Sequence, residues 1–424
     1  MKSVSRVCVM AMMMSTLWSA ALAQTPAKGT NTTAPAPAPA RATLAPAPAP
    51  AKAAATPAPA PVSAAVTPAP EPAPARAAGA PPPAPAPVAS AFDLPTILPE
   101  PEQIPTNPGV APPPTNFPVV SFGVLTFLQY QAELHEADGY NAFDVTRGYL
   151  NIRARLNDRV NVRFTPDVRP TTDASLNNNL ALRLEYASLD LKATDSMTIM
   201  FGLHEMPWLT YEESLNRYRV VGPLFAERLN LIPGSTDLGV SVKSVTERTE
   251  VHVGIYNGEG QGRAEVDKYK SIDGRGTFRP FAADSGLGKV SISGFYQYGW
   301  YARDRPRNVA IVMGAYESTN VVLNAQYLSA TDNPFVAVDV RRRGMSFFGE
   351  GRQGLTGWAA IGGLDLFVPD AANSSDQRRR LLFGGAHWSQ ISRARLGIVI
   401  SVTQESSESQ LLDRRLLAQT HVEF

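Results

Sequence analysis

The sequence predicts an all-β protein: a sixteen-stranded antiparallel transmembrane β-barrel preceded by a disordered Ala/Pro-rich segment. Three observations lead there. From Val119 onward, short segments alternate apolar and polar residues and are separated by turn residues, the period-two signature of strands. Sixteen such segments can be drawn, and the connections between them alternate between long and short. The chain also stops on a strand. Leu416, Ala418, Thr420, Val422 and Phe424 form one face, and Arg415, Gln419, His421 and Glu423 the other, with Leu417 the one misfit. A last strand ending on an aromatic is the usual close of an outer-membrane barrel, where that ring sits in the interfacial girdle.

The N-terminus reads as an export signal. Lys2 and Arg6 precede an apolar run from Val7 to Trp18, and Ala21-Leu22-Ala23 forms an A-x-A cleavage site before Gln24. Residues 1–23 are therefore expected to be a secretory signal peptide, too short in its apolar core to anchor in a bilayer. Cys8, the only cysteine, lies inside it, too early for lipoprotein acylation. The mature chain thus has no thiol for a disulfide, a metal site or nucleophilic chemistry. No later stretch reaches the ~20 continuous apolar residues of a membrane helix, so an exported chain of this kind is periplasmic, secreted or a membrane barrel. A formal net charge of +1 argues against a nucleic-acid partner.

Residues 24–118 are mostly Ala and Pro, and 28 of the 37 prolines precede Val119. Such a segment has no hydrophobic period and few backbone donors, so it cannot build a core. It is expected to be an extended periplasmic spacer at ~3 Å per residue. An inert tether is one reading, and a strut touching peptidoglycan or another envelope protein is the other. Lys28, Arg41, Lys52 and Arg76 are too sparse to favour a specific ligand.

The barrel is expected over 119–424. Its strands fall near 119–131, 141–157, 159–168, 180–192, 197–204, 237–245, 249–257 and 271–281. The second half gives 287–301, 308–317, 320–329, 341–351, 355–368, 378–389, 392–403 and 412–424. An even number suits a bacterial single-chain barrel. Long connections are expected at 133–140, 170–179, 205–236, 258–270, 331–340, 369–377 and 405–411. Short ones are expected at 157–158, 194–196, 246–248, 282–286, 317–320, 352–354 and 390–391, with 304–307 the weakest of the outer loops. A soluble sandwich has no reason to segregate its loops in this way.

Alternation also assigns faces. Leu150, Ile152, Ala154 and Leu156 alternate with Asn151, Arg153 and Arg155, and Val160, Val162 and Phe164 with Asn161, Arg163 and Thr165. A charge facing mid-bilayer lipid costs ~2–4 kcal/mol, so the charged register faces the lumen. The same logic puts Arg183, Glu185, Lys243, Glu250, His252, Arg275, Arg279, Arg393, Arg395, Arg415 and Glu423 inside. The strand at 180–192 changes phase after Tyr186, which predicts a bulge. An interior lined by charge is expected to be wet, a pore rather than a packed core.

The 205–236 connection is far longer than an ordinary loop, and such loops tend to carry function. It is expected to fold into the barrel and narrow it, with Glu212, Glu213, Arg217, Arg219 and Arg228 as constriction candidates. An external flap of solvated charges is the alternative.

Several stretches resemble a known family. They are Arg147-Gly148-Tyr149-Leu150 leading to Leu156-Asn157-Asp158, Phe201-Gly202-Leu203 before the long loop, and Thr236-Asp237-Leu238-Gly239-Val240 after it. Most telling is Val253-Gly254-Ile255-Tyr256-Asn257-Gly258 followed by Gly274-Arg275-Gly276-Thr277-Phe278-Arg279-Pro280. Over 119–424 the chain resembles the phosphate-selective porin O and P family. The resemblance implies a sixteen-stranded, homotrimeric outer-membrane channel with a constriction loop. It also implies phosphate selectivity resting on loop lysines and wall arginines. Here the 205–236 loop has four glutamates and no lysine, so the substrate does not carry over with the architecture.

Other chemistry is thinly supported. His135, His204, His252, His387 and His421 show no metal-ligand spacing, no G-x-S-x-G elbow occurs, and the glycine-rich Gly258–Gly262 leads into no helix. No metal or cofactor is expected. The functional expectation is a water-filled outer-membrane porin for small anionic solutes. Arg153, Arg155, Arg163, Arg183, Arg275, Arg279, Arg393 and Arg395 are its selectivity candidates, and the expected preference for anions is mild, without high phosphate affinity. An envelope-anchoring barrel whose spacer carries the function, and a barrel hydrolase, are the competing classes.

Overall fold

The computed structural model describes residues 116–424 apart from 137–138, 172–179, 262–264, 266–267, 282–287, 303–304, 334–338, 374 and 409. The expected signal peptide and nearly all of the Ala/Pro segment lie outside the described residues. Sixteen strands follow one another: β1 (Val119–Glu133), β2 (Asn141–Arg155), β3 (Val160–Pro170), β4 (Leu180–Lys192), β5 (Met197–Glu205), β6 (Thr236–Val245), β7 (Thr249–Tyr256) and β8 (Ser271–Phe278), then β9 (Lys289–Ala302), β10 (Arg305–Glu317), β11 (Val321–Asp332), β12 (Val340–Arg352), β13 (Gly357–Val368), β14 (Arg378–Ile391), β15 (Ala394–Ser407) and β16 (Gln410–Glu423). Each pairs antiparallel with its sequence neighbours, and β1 pairs with β16, so the barrel is closed. The closing ladder runs from Leu125 opposite Glu423 to Glu133 opposite Arg415. Beyond it, Phe424 and Val124 exchange backbone hydrogen bonds of 2.8 and 3.0 Å. Closure leaves no unpaired edge, which a lipid environment would penalise.

Three connections differ from the sequence reading, one of them 304–307, since β10 already begins at Arg305 and pairs with β9 from there. The 405–411 segment was expected to be a long loop, but its polar residues stay in register, Glu405 opposite Asp413, so that only 408–409 joins β15 to β16. The connection at 282–286, expected to be short, runs from 279 to 288 because β8 stops at Phe278. Pro280 lacks the N–H that a further ladder bond would need. Length parity is therefore only partial, while strand number and order hold. The phase change in β4 is a true bulge. Thr165 faces Tyr186 and Pro166 faces Leu184, leaving Glu185 as the extra residue.

The barrel has a terminal end, where β1 starts and β16 finishes, and a loop end opposite. Its outer registers expose Phe122, Leu150, Phe164, Leu189, Phe201, Val240, Val253, Ile292, Val312, Phe383 and Ile398, the apolar band of a membrane-spanning barrel.

The interior is of two kinds, where a uniformly wet lumen was expected. Phe295, Val309, Ile311, Met313, Leu328, Ala330 and Phe367 on the inner wall of β9–β13 pack against Trp208, Leu209, Leu224, Phe225, Ala226, Leu231 and Ile232 of the β5–β6 connection. Each fully buried apolar side chain contributes ~1.5–3 kcal/mol, so this connection is held by a dry core. Gly344 makes the close approach possible: a Cβ there would lie 2.7 Å from Phe225 Cζ and 2.8 Å from the Leu366 carbonyl. The remaining wall stays polar.

Candidate functional site: the constriction

The β5–β6 connection folds into the lumen as α1 (Leu209–Leu215), a 3-10 turn at Arg219–Val221 and α2 (Phe225–Arg228). Side chains from much of the circumference hold it. The Arg275 guanidinium donates to the Pro207 carbonyl at 2.7 Å and lies over the Tyr211 ring. Ser293 Oγ donates to the Tyr211 hydroxyl at 2.7 Å. Ser235 Oγ donates to Glu185 at 3.0 Å, and Gln419 Nε2 to the Val220 carbonyl at 2.5 Å. The expectation that this segment folds inward is met, and the external flap is not.

The loop's own charges are paired. Arg219 lies between Glu213 at 2.5 Å and Glu227 at 2.6 Å. Arg217 pairs with Glu350 on β12 and lies 4.5 Å from the Trp388 ring centroid, while Tyr218 donates to the same carboxylate at 2.7 Å. Arg228 pairs with Asp365 at 2.6 Å and Glu405 at 3.4 Å. Glu212 does not reach the open lumen as a selectivity residue would. It is buried beside the apolar core and accepts hydrogen bonds from Trp208 Nε1 at 3.0 Å and Gln326 Nε2 at 2.7 Å. Burial pushes this carboxyl, which lies in the loop and not in a spanning strand, up to about 7, against the pull of those two donors.

Folding the loop inward divides the lumen. A cavity of about 620 Å³ opens toward the terminal end, where Lys289, Glu317, Arg395 and Glu423 lie. A second, of about 350 Å³, opens toward the loop end past Gln131, Arg169, Asp413 and Arg415. Three residues line both: Phe127 on β1, Arg147 on β2 and Arg219 on the loop. The two cavities therefore adjoin between the β1–β2 wall and the loop.

The wall arginines divide by partner. Arg183 pairs with Asp167 at 2.8 Å and Glu185 at 3.0 Å. Arg395 pairs with Glu423 at 2.7 Å, and Arg279 with Glu250 at 2.9 Å. Arg275 is committed to Glu250, Thr277 and the loop backbone. Two expectations need correction. Arg155 is at the terminal rim, 3.6 Å from Asp158. Arg393 lies exposed in the turn between β14 and β15, because β14 continues to Ile391. Arg153 and Arg163 do line the terminal-end cavity, and neither forms an ion pair among the described residues. They face each other directly across β2 and β3. Arg163 lies over the Tyr186 ring at 3.3 Å and donates to Asn151 at 3.0 Å, while Arg153 Nε is buried without a hydrogen-bond partner.

Arg147 is the residue that sequence reasoning passed over. It makes no ion pair among the described residues and lies 4.9 Å from the Tyr149 and 5.5 Å from the Phe127 ring centroids. Its signal was present: the period of two that placed Arg153 and Asn151 inside reaches Arg147 when carried two steps back. Just beyond it, register shifts by one, with Phe127 facing Arg147 and Leu128 facing Val145. The site is thus a run of Arg147, Arg153 and Arg163 with no ion pair among the described residues, opposite a loop whose arginines are ion-paired.

No protein-family model matches the sequence, and no curated protein sequence matches it. Among solved structures, the chain is similar to an anion-selective porin from Comamonas acidovorans, with a TM-score of 0.53 and 12% identity, covering 72% of this chain and 99% of that one. It is also similar to a loop L8 deletion mutant of OmpT, an outer membrane protein of Vibrio cholerae. There the TM-score is 0.52 at 11% identity, over 72% of this chain and 99% of the other. At these identities the likeness is one of fold.

Proposed function

We propose that the chain forms a water-filled outer-membrane channel for passive diffusion of small anionic solutes, oxyanions and carboxylates foremost. The observation that carries this reading is the row Arg147, Arg153 and Arg163 at and below the constriction, without an ion pair among the described residues, beside a loop whose arginines are ion-paired. Cations set in a low-dielectric wall focus the field and raise the local anion concentration, and rings of Arg or Lys are the usual device of anion pores. The guanidinium fork suits phosphate, sulfate or carboxylate oxygens. The loop lacks lysine, so passage without tight phosphate retention is the better match. The loop end faces outward, the termini face the periplasm, and three copies assemble, as in the family the sequence resembles. Reversal potentials of Arg147→Gln and Arg153→Gln channels in a KCl gradient test the reading. Each should move toward cation preference, and unchanged potentials in both would refute the assignment.

A further inference from the structure

We propose that a patch of outward-facing arginines at the loop end of β12–β16 binds the phosphates of a membrane lipid bearing more than one phosphate. On β12, Arg342 turns inward to Asp332 at 2.7 Å. Its neighbours Arg341 and Arg343 therefore lie on the opposite face, exposed, above Met345 and Phe347 of the apolar band. On β14, Arg379 shares the outer face with exposed Phe383. On β16, Arg414 lies opposite Gln404 and donates to it at 3.1 Å.

The register joins these residues into one belt. Arg343 faces Val368, Leu366 faces Arg379, Arg379 faces Ser406 and Gln404 faces Arg414. With neighbouring strands ~4.8 Å apart, the cations recur about every 10 Å around the rim. Ser329 and Thr331 stand opposite Arg343 and Arg341. Among the described residues Arg341, Arg343 and Arg379 form no ion pair, even though Asp339 precedes Arg341 by two positions. The adjacent Arg378 does reach Asp376 at 4.0 Å. At the same end of β1–β4 the outward positions are Tyr130, Phe143, Pro170 and Leu180, none of them charged.

Cations set just beyond an apolar band lie at headgroup depth, and a guanidinium there offers paired donors to a phosphate. Several such groups spaced around the rim fit separated phosphates on one headgroup better than a lone ion. These residues are distinct from those of the constriction, so the inference stands or falls apart from the channel reading.

The test uses the full protein in uncharged detergent, with binding of diphosphorylated lipid A followed by native mass spectrometry. Monophosphorylated and dephosphorylated forms, and inorganic phosphate, are the comparisons. Wild type should prefer the diphosphorylated lipid. The triple variant Arg341→Gln, Arg343→Gln, Arg379→Gln should bind it about a hundredfold more weakly, each arginine near a lipid surface contributing roughly fivefold. Retention by the triple variant equal to wild type would overturn the proposal. So would displacement by equimolar inorganic phosphate. Should the triple variant fail to fold, the wild-type comparison decides: equal affinity for the dephosphorylated lipid overturns the proposal.

Discussion

Arg153 and Arg163 face each other across β2 and β3, a placement without an ion pair among the described residues that Arg183, Arg275 and Arg395 avoid by pairing. Like charges directly opposite cost roughly 0.2–1 kcal/mol, partly offset here by Tyr186 under Arg163 and by the Asn151 acceptor. Arg153→Gln should therefore leave the barrel as stable or slightly more so, while weakening its preference for anions. Thermal unfolding in detergent and reversal potential together check this, and a destabilised variant with unchanged selectivity would make Arg153 structural. Glu212 carries a second prediction at this scale. Its ordinary carboxyl value of 4.5 rises to about 7 in the loop, so the folded state favours the protonated form. The contribution is full below 4.5 and is lost as pH rises through about 7. Protease protection of the loop should fall over that window in wild type and stay flat in Glu212→Gln. An equal decline in both would assign the titration elsewhere. Alternation alone could not sort these residues, because it gives the face of a side chain and not its partner. Arg183, Arg275 and Arg395 look like Arg153 in sequence and differ only in the carboxylate that cross-strand register brings to them.

The loop between β5 and β6 shows what length and composition do and do not reveal. Its length marks it as the constricting segment, and the structure bears out that it folds inward. The sequence reading weighed its charges, whereas Trp208, Leu209, Leu224, Phe225, Leu231 and Ile232 fix it to the wall. Those apolar residues were visible, but their partners on β9–β13 come from strands far along the chain. The Arg217–Glu350–Tyr218 contact is the polar counterpart of that core. Removing one member of a buried pair costs ~3–5 kcal/mol. Glu350→Ala should thus loosen the loop while the strands persist, giving larger and noisier single-channel conductance with unchanged β content by circular dichroism. Quiet channels of wild-type conductance would show that the apolar core alone positions the loop. The bulge at Glu185, by contrast, was legible from a break in period within one strand.

At the scale of the molecule, the sixteen strands and their order follow from alternation and turn residues. Connection lengths were the less reliable signal, since β15 and β16 extend into what reads as loop and Pro280 ends β8 early. Closure is carried by the last strand, where Glu423, Val422 and Phe424 bond to β1. Deleting Val422–Phe424 should leave export intact and reduce heat-modifiable, folded barrel in the membrane fraction. Wild-type amounts of folded barrel would contradict the role given to that end. The proposed anion preference concerns the whole lumen: formal charge is near balance, the carboxylates lining the two cavities stand in ion pairs, and Arg147, Arg153 and Arg163 form none among the described residues. The reversal potential of the wild-type channel across a KCl gradient tests it most directly. Chloride preferred over potassium is the predicted result, and a channel that prefers potassium would contradict it.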